Sequence, residues 1–283
     1  MTVLPVCRRQ RRLLAERFDN HVRNFLPQHP FDNGSLVLRD EVLGAWPRTR
    51  ELVSDQLCEY YGIITHMDEQ IGRILAALEA TGRAQDTIVV FAADHGLAVG
   101  SHGLLGKQSL YEHSMRAPMM ISGPGIPAGA SSTALTYLHD LYPTLLGQVG
   151  LEGDTDIEGR DLAPLWRGEA EAVRETLFLS FARSQRAVMD GRWKLIRYPM
   201  VGVTQLFDLA SDPDELLNLA DRPEHAARIE HLWAELEAWQ ARLEDAAPLV
   251  YEETKPLFRD LSDVERKPDR WQPRWIRRKY FDE

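Results

Sequence analysis

Apolar residues recur at three- and four-residue intervals between positions 51 and 80: Leu57, Tyr61, Ile64, Ile71, Ile74, Leu75 and Leu78. That spacing places them on one face of a helix, and Gly82 supplies a stop, so a helix is predicted over 51–80. The next apolar run has no such period. Ile88 to Ala93 is short, β-branched at its start and continuously apolar. This predicts a strand buried on both faces, as in a parallel sheet covered by helices. A helix feeding a strand in this way is a βαβ-like ordering. Ala117 to Ile121 predicts a second strand, which ends in Ser122-Gly123-Pro124-Gly125. Helical spacing returns in 134–150, around Leu138, Leu141, Leu145, Leu146 and Val149. Upstream, residues 24–50 hold three prolines and the turn signal Asp32-Asn33-Gly34, which predicts a long irregular loop on the surface.

The texture changes near Arg174. Leu177 to Phe181, Gln185 to Met189 and Trp193 to Tyr198 are short strand candidates, and Asp190-Gly191 between the last two is a strong hairpin signal. Gln205 to Leu209 predicts a further strand, followed by a turn over Ser211 to Glu215. Residues 223–245 show an amphipathic helix with Ile229, Leu232, Leu236, Trp239 and Leu243 on one face. Consecutive strands followed by a helix predict a small antiparallel α+β subdomain. The tail, 247–283, interleaves Pro, Trp and Arg. It is expected to wrap over this or another subunit, because its aromatic residues are costly to leave exposed; the alternative is contact with nucleic acid or an acidic partner.

With 283 residues, 44% of them hydrophobic and 27% charged, the composition is that of an ordinary globular protein with room for one large domain or two small ones. No run approaches the length of a membrane span. The net charge of −10 argues against non-specific nucleic-acid binding by the chain as a whole. Two cysteines, Cys7 and Cys58, make no disulfide framework, and Cys58 reads as a small buried hydrophobe. Met1 to Leu14 has arginines at 8, 9, 11 and 12 without an apolar core, so it does not read as a secretory signal. A cytoplasmic location is the resulting expectation.

The chemistry-bearing residues gather between the first two strands. Asp94-His95-Gly96 follows directly on the Ile88 strand, and ligands of open α/β sheets bind beyond the carboxyl ends of strands. Gly96 allows a sharp turn and a close approach to a ligand. The segment after it carries His102, Lys107, His113 and Arg116 on loops. His102 could line a pocket or support one. His113 could give a proton to a leaving group, and Arg116 has Glu112 at helical spacing as an ion-pair partner. His66 and Asp68 fall within the predicted helix and read as ordinary helix residues.

Strand-Asp94-His95-Gly96, the Gly103 to Lys107 loop, Tyr111-Glu112-His113 and the strand ending in Gly123-Pro124-Gly125 together resemble the sulfatases of the alkaline phosphatase superfamily. The resemblance runs from Tyr60 to Arg167 and more weakly to about Arg242. It implies a fold of class α/β: part of a mixed or parallel sulfatase-like sheet flanked by helices, with a small C-terminal α+β subdomain. It divides the chain into an irregular segment (1–50), the second half of the catalytic domain (51–170), the antiparallel subdomain (171–246) and the Arg/Trp-rich tail (247–283). The segment Asn24 to Arg50 resembles the connection that precedes the long helix in sulfatases; it reads first as a connecting loop, with shaping of a substrate pocket as the functional alternative. Leu151 to Glu169 resembles the segment that closes their large domain, and His139-Asp140 falls near a structural Asp of the family.

By the same resemblance Asp94 and His95 are metal ligands and Lys107 contacts the sulfate, with His102 and His113 as further substrate-binding candidates. The implied activity is metal-dependent hydrolysis of a sulfuric ester, with a sulfate ester small molecule or sugar as substrate. Asp94 is a hard oxygen donor that suits calcium or magnesium, and His95 suits zinc or manganese; the expectation is a divalent metal, calcium first, with magnesium, manganese or zinc as alternatives. A metal and Lys107 would supply the positive charge that the sulfate oxygens require. The family's nucleophile is a formylglycine made from a Cys-x-Pro/Ala-Ser-Arg motif, and neither Cys7 nor Cys58 sits in one. No Asp-Asp pair precedes Asp94. The chain is therefore expected to be a truncated part of a sulfatase, inactive alone, that meets a complementing N-terminal half or forms a homo-oligomer. The alternatives are a metal-dependent phosphatase or phosphodiesterase of the same superfamily, and a non-catalytic degenerate homologue. No nucleic-acid or membrane partner is expected.

Overall fold

The computed structural model describes residue 18 and residues 22–154, 156–268 and 270–281. Cys7 and the arginine-rich start lie outside the described residues. A long helix, α1 (Arg50–Ala80), starts where the Thr49 hydroxyl accepts the Leu52 amide and closes at Gly82, which takes φ 69°. It leads into strand β1 (Val89–Ala92). A short helix α2 (Glu112–Met115) precedes strand β2 (Met119–Ser122), which pairs antiparallel with β1 from Val89 opposite Ser122 to Ala92 opposite Met119. Helices α3 (Leu141–Gln148) and α4 (Ala163–Arg167) follow. The C-terminal sheet is an antiparallel meander of β3 (Leu177–Phe181), β4 (Gln185–Met189), β5 (Trp193–Tyr198) and β6 (Val203–Asp208), then helix α5 (Ala226–Arg242). A last helix, α6 (Arg274–Tyr280), lies in the tail.

The meander is the best-buried part of the molecule. Side chains alternate between the faces of a strand, and here both faces are covered. Val188, Leu195 and Leu206 pack with Leu232 and Leu236 of α5. Their neighbours Ala187, Ile196 and Phe207 point the other way, into a cluster with Phe31, Leu36, Leu104, Leu110 and Tyr111. Asp190 makes the β4–β5 turn by accepting the amides of Arg192 and Trp193, with Gly191 at φ 88°. These elements follow the pattern read from the sequence.

Two expectations need correction. The strand buried on both faces is not β1: all four of its residues are only half-buried, its pairing with β2 is antiparallel, and no parallel pairing occurs among the described residues. The segment 24–50 is not a surface loop either. Phe31, Leu36, His29, Asn33, Ser35, Glu41 and Arg48 are all buried, because this segment is the layer that covers the second face of the meander. The tail does wrap over its own chain: Lys279 reaches Asp55 at 2.9 Å, and the Tyr280 hydroxyl donates to Glu59 of α1 at 2.8 Å. Among the described residues no helix is long and apolar enough to cross a membrane.

Candidate functional site

β1 ends at Ala92, two residues before Asp94, whose side chain is 77% exposed. Its carboxylate accepts the His95 amide at 3.0 Å, and its other oxygen lies 3.3 Å from His95 Nε2. His95 Nδ1 sits 2.8 Å from its neighbour's carbonyl, Gly96 O. With a proton on Nδ1 donated there, Nε2 keeps a lone pair beside the Asp94 carboxylate. Gly96 is required for a reason other than ligand approach. A Cβ at this position would lie 2.0 Å from the carbonyl oxygen of His113, and the Gly96 amide donates to Ser114 O at 2.8 Å. The close approach is between two backbones, which ties the Asp-His-Gly turn to the start of α2.

The next ten residues fold back on themselves. Ala98 N donates to Gly106 O at 2.8 Å and Gly100 N to Leu104 O at 2.7 Å. This returns the chain at Gly106 to the level of Ala98, four residues beyond Asp94 in sequence. The return is fastened by Glu41, which is 1% exposed and accepts the amides of Leu105 and Gly106, both at 2.8 Å. Burial pushes the Glu41 carboxyl up; the two amides and Arg48, whose guanidinium is 3.6 Å away, pull it back down. Lys107 is 41% exposed and lies 3.9 Å from Asp40, which also accepts from Gln108 at 2.7 Å. Asp40 and Glu41 belong to the buried connecting segment. Their roles escaped the sequence reading because their partners are more than sixty residues away.

His102 and His113 lie deeper than Lys107. His102 stacks on Tyr111 with ring centroids 3.8 Å apart. Its Nδ1 is 3.3 Å from Asn24 Nδ2 and its Nε2 is 3.0 Å from Glu215 O, so protein groups occupy both ring nitrogens. Burial lowers its pKa to about 4. His113 meets the Ser114 hydroxyl through Nδ1 at 2.9 Å, while its Nε2 is buried without a partner. Burial, aided by the charges of His102, Lys194 and His29 when protonated, holds its pKa well below the ordinary range. His113 is therefore neutral near neutrality, and proton donation from an imidazolium there is unfavourable. Glu112 does not pair with Arg116 as expected. Its carboxylate takes Lys194 of β5 at 2.8 Å, because a buried ammonium must be compensated by charged acceptors. His66 and Asp68 are exposed on α1. Asp140 is fully buried and held by Arg174 at 2.5 Å and by the amides of Tyr137 and Arg160, a structural role.

The structure thus joins Asp94 to His95 directly, pairs the backbone before Lys107 with Ala98, and sets His102 and His113 against Tyr111. Among the described residues no group of three or more His, Cys, Asp or Glu could hold a metal ion. Two donors fall short of the roughly six to eight oxygen ligands of calcium. The described residues do not by themselves fit a divalent cation.

Comparisons with known proteins bear on this arrangement. The family model "Sulfatase" matches residues 14–151, which contain the Asp94 turn and the Lys107 loop. The model "N-sulphoglucosamine sulphohydrolase, C-terminal" matches residues 100–242, half of the chain. A choline-sulfatase from Rhizobium meliloti (strain 1021) is 34% identical over 183 residues, which are 62% of this chain and 35% of that protein. A solved structure of a protein in complex with its substrate D-glucosamine-2-N,6-O-disulfate is 28% identical, with a TM-score of 0.66, over 72% of this chain and 44% of that one. A phosphonate monoester hydrolase from Silicibacter pomeroyi is 29% identical with a TM-score of 0.64, over 76% of this chain and 46% of that one. The chain spans little more than a third of the curated relatives it matches. Its α/β fold is similar to these structures, and the chain belongs to the sulfatase family of the alkaline phosphatase superfamily.

Proposed function

We propose that this chain carries one side of a sulfuric ester hydrolase site: Asp94 and His95 as its share of a divalent cation's ligands, calcium first among the candidates, and Lys107 as the contact to the sulfate. The observation that supports this reading is the contact of an exposed Asp94 carboxylate with the His95 imidazole just beyond β1, followed by the loop that folds back on Ala98 and leads into Lys107. Lys107 rests only lightly on Asp40, so its ammonium is available to an oxyanion. Preorganised charge of this kind contributes roughly 10²–10³ in rate for one well-placed donor. His102 and His113 support the loop from behind rather than touch the ester. The substrate class is a sulfate ester of a small alcohol or a sugar, in keeping with the choline-sulfatase and the glucosamine disulfate complex among the relatives.

The two donors need others, and the nucleophile motif is not in this sequence. The complementing part is an α/β polypeptide that covers the exposed apolar face of α1, where Ile63, Met67 and Ile74 are 66%, 43% and 68% exposed. The purified chain is expected not to hydrolyse 4-nitrophenyl sulfate. Mixed with the N-terminal part of the Rhizobium choline-sulfatase, it is expected to gain activity that Lys107→Ala and Asp94→Ala remove. Turnover by the chain alone, lost in Asp94→Ala, would overturn the shared-site reading. A second reading, hydrolysis of a phosphate or phosphonate ester, is favoured by the phosphonate monoester hydrolase neighbour. Preference for phenyl phosphonate over the aryl sulfate in the same assay would establish it.

A further inference from the structure

Glu215 lies in the turn after β6, far in sequence from Lys107, yet it touches both ends of the loop that carries Lys107. The turn is a knot of local bonds. The Asp212 side chain accepts the amides of Leu216 and Leu217 at 3.0 and 2.8 Å, and Asp212 O accepts the Glu215 amide at 3.1 Å. These bonds hold Glu215 at φ 55°, a left-handed conformation uncommon for a residue other than glycine, and turn its side chain inward until it is 3% exposed. From there its backbone carbonyl takes His102 Nε2 at 3.0 Å. One carboxylate oxygen takes the Glu112 amide at 2.7 Å, and the other takes Lys194 Nζ at 2.9 Å. Lys194, fully buried on β5, also holds the Glu112 carboxylate. His102 and Glu112 stand on either side of Lys107 in the chain.

We propose that Glu215 is a positioning residue for the oxyanion-binding loop: it clamps residues 102 and 112 together and so sets where the Lys107 ammonium is presented. This rests on the reading of Lys107 as the sulfate contact, and it gives the C-terminal meander a part in the site beyond packing. The carboxylate is the residue type the position needs, because one group must accept a backbone amide and neutralise a buried ammonium at once. Alanine at 215 leaves the Glu112 amide and half of the Lys194 charge without partners. Glutamine keeps an acceptor for the amide but not the charge.

Hydrogen exchange of the full chain tests the proposal without any turnover. Glu215→Ala is expected to speed exchange of the 104–112 amides about tenfold, the opening that follows loss of a buried charge-assisted hydrogen bond, while the β4 and β5 amides hold their rates. Glu215→Gln is expected to give a smaller change at the same residues. Asp245→Asn loosens the Arg186–Asp245 pair elsewhere in the same subdomain and should leave 104–112 unmoved relative to the strands. The proposal is overturned if 104–112 keeps its protection in Glu215→Ala, or if loop and strands accelerate together. Should the alanine variant not fold, the glutamine variant against Asp245→Asn decides on the same criterion. A failed sulfatase reading would look different: the complemented chain would not turn over sulfate esters although the wild-type loop was fully protected.

Discussion

The meander β3–β6 and the pair β1–β2 are built from similarly apolar runs, and they meet their surroundings differently. In the meander each strand sends one set of side chains to α5 and the other to the 24–50 segment and the Lys107 loop, and Leu195, Ile196 and Leu206 are fully buried. In the other region Met120 of β2 is 61% exposed, Ile74 of α1 is 68% exposed and Val149 after α3 is 61% exposed. Single exposed apolar side chains are ordinary on a solvated surface, but in this region they recur on α1, on β2 and after α3. An apolar pattern states that a face will be covered, but the covering layer is a tertiary fact. In the meander that layer is supplied within this chain, and for α1 and β1 it is not supplied by the described residues.

The comparison is broken hardest where the two regions are joined. Asp140 follows the β2 half and Arg174 precedes β3, and their bidentate pair is buried at both ends. Removing one partner strands a buried charge, a loss of about 3–5 kcal/mol. Asp140→Ala is expected to lower the unfolding free energy by that amount, and Asp140→Asn by less because the Tyr137 and Arg160 amides keep an acceptor. If the cost of Asp140→Ala in chemical denaturation falls below that of a surface substitution, the two regions are not held together here. Within the meander, Leu206→Ala removes a fully buried side chain of β6 that packs against α5 and is expected to cost about 2–5 kcal/mol.

Much of the meander was legible in the sequence, and less of the site was. The 3.6-residue period of α1 and the Asp190-Gly191 turn are local signals, and α1 and the β4–β5 hairpin follow them closely. Asp94 and His95 were singled out because they stand just past an apolar run, and Lys107 through the resemblance to sulfatases. Glu41, Asp40 and Glu215 were missed because an acidic residue in a loop carries no local mark of what it will accept. Only the fold brings Glu41 to Gly106 and Glu215 to Glu112. Gly96 was noted for a turn and a ligand's approach; that the His113 carbonyl also needs the space a Cβ would fill is a tertiary fact with no local mark.

Acid should act first on the joint between the two regions. His102 and His29 are held down to about 4 and about 3, mainly by burial, and His113 well below the ordinary range. The unfolded chain binds these protons near the ordinary value of 6.5, while the folded chain binds them only at lower pH. Stability is therefore full above that value and falls as pH drops towards 4, with a slope of up to about 1.4 kcal/mol per pH unit for each histidine. Glu41 and Glu215, pushed up by burial, oppose this at the acidic end of the window. Denaturant midpoints measured from neutral pH down to about 5 should decline, and His102→Gln should flatten the decline. A flat profile in the wild type would mean that these rings are protonated in place.

The smallest expected effect is the one that sharpens the comparison most. Ile63 and Ile74 lie on the open side of α1 with little contact to the rest of the chain. Replacing either with serine removes almost no buried area, so the isolated chain should change in stability by no more than about 0.5 kcal/mol, against the several-fold larger cost of Leu206→Ala. The same substitutions should weaken recovery of activity when the complementing polypeptide is added, because they remove the apolar surface it is proposed to cover. In sedimentation they should also reduce any self-association of the chain, since a second copy would use the same face. If Ile63→Ser and Ile74→Ser were as destabilising as Leu206→Ala, α1 would already be packed within the chain, and the contrast between the closed meander and the open helix would be lost.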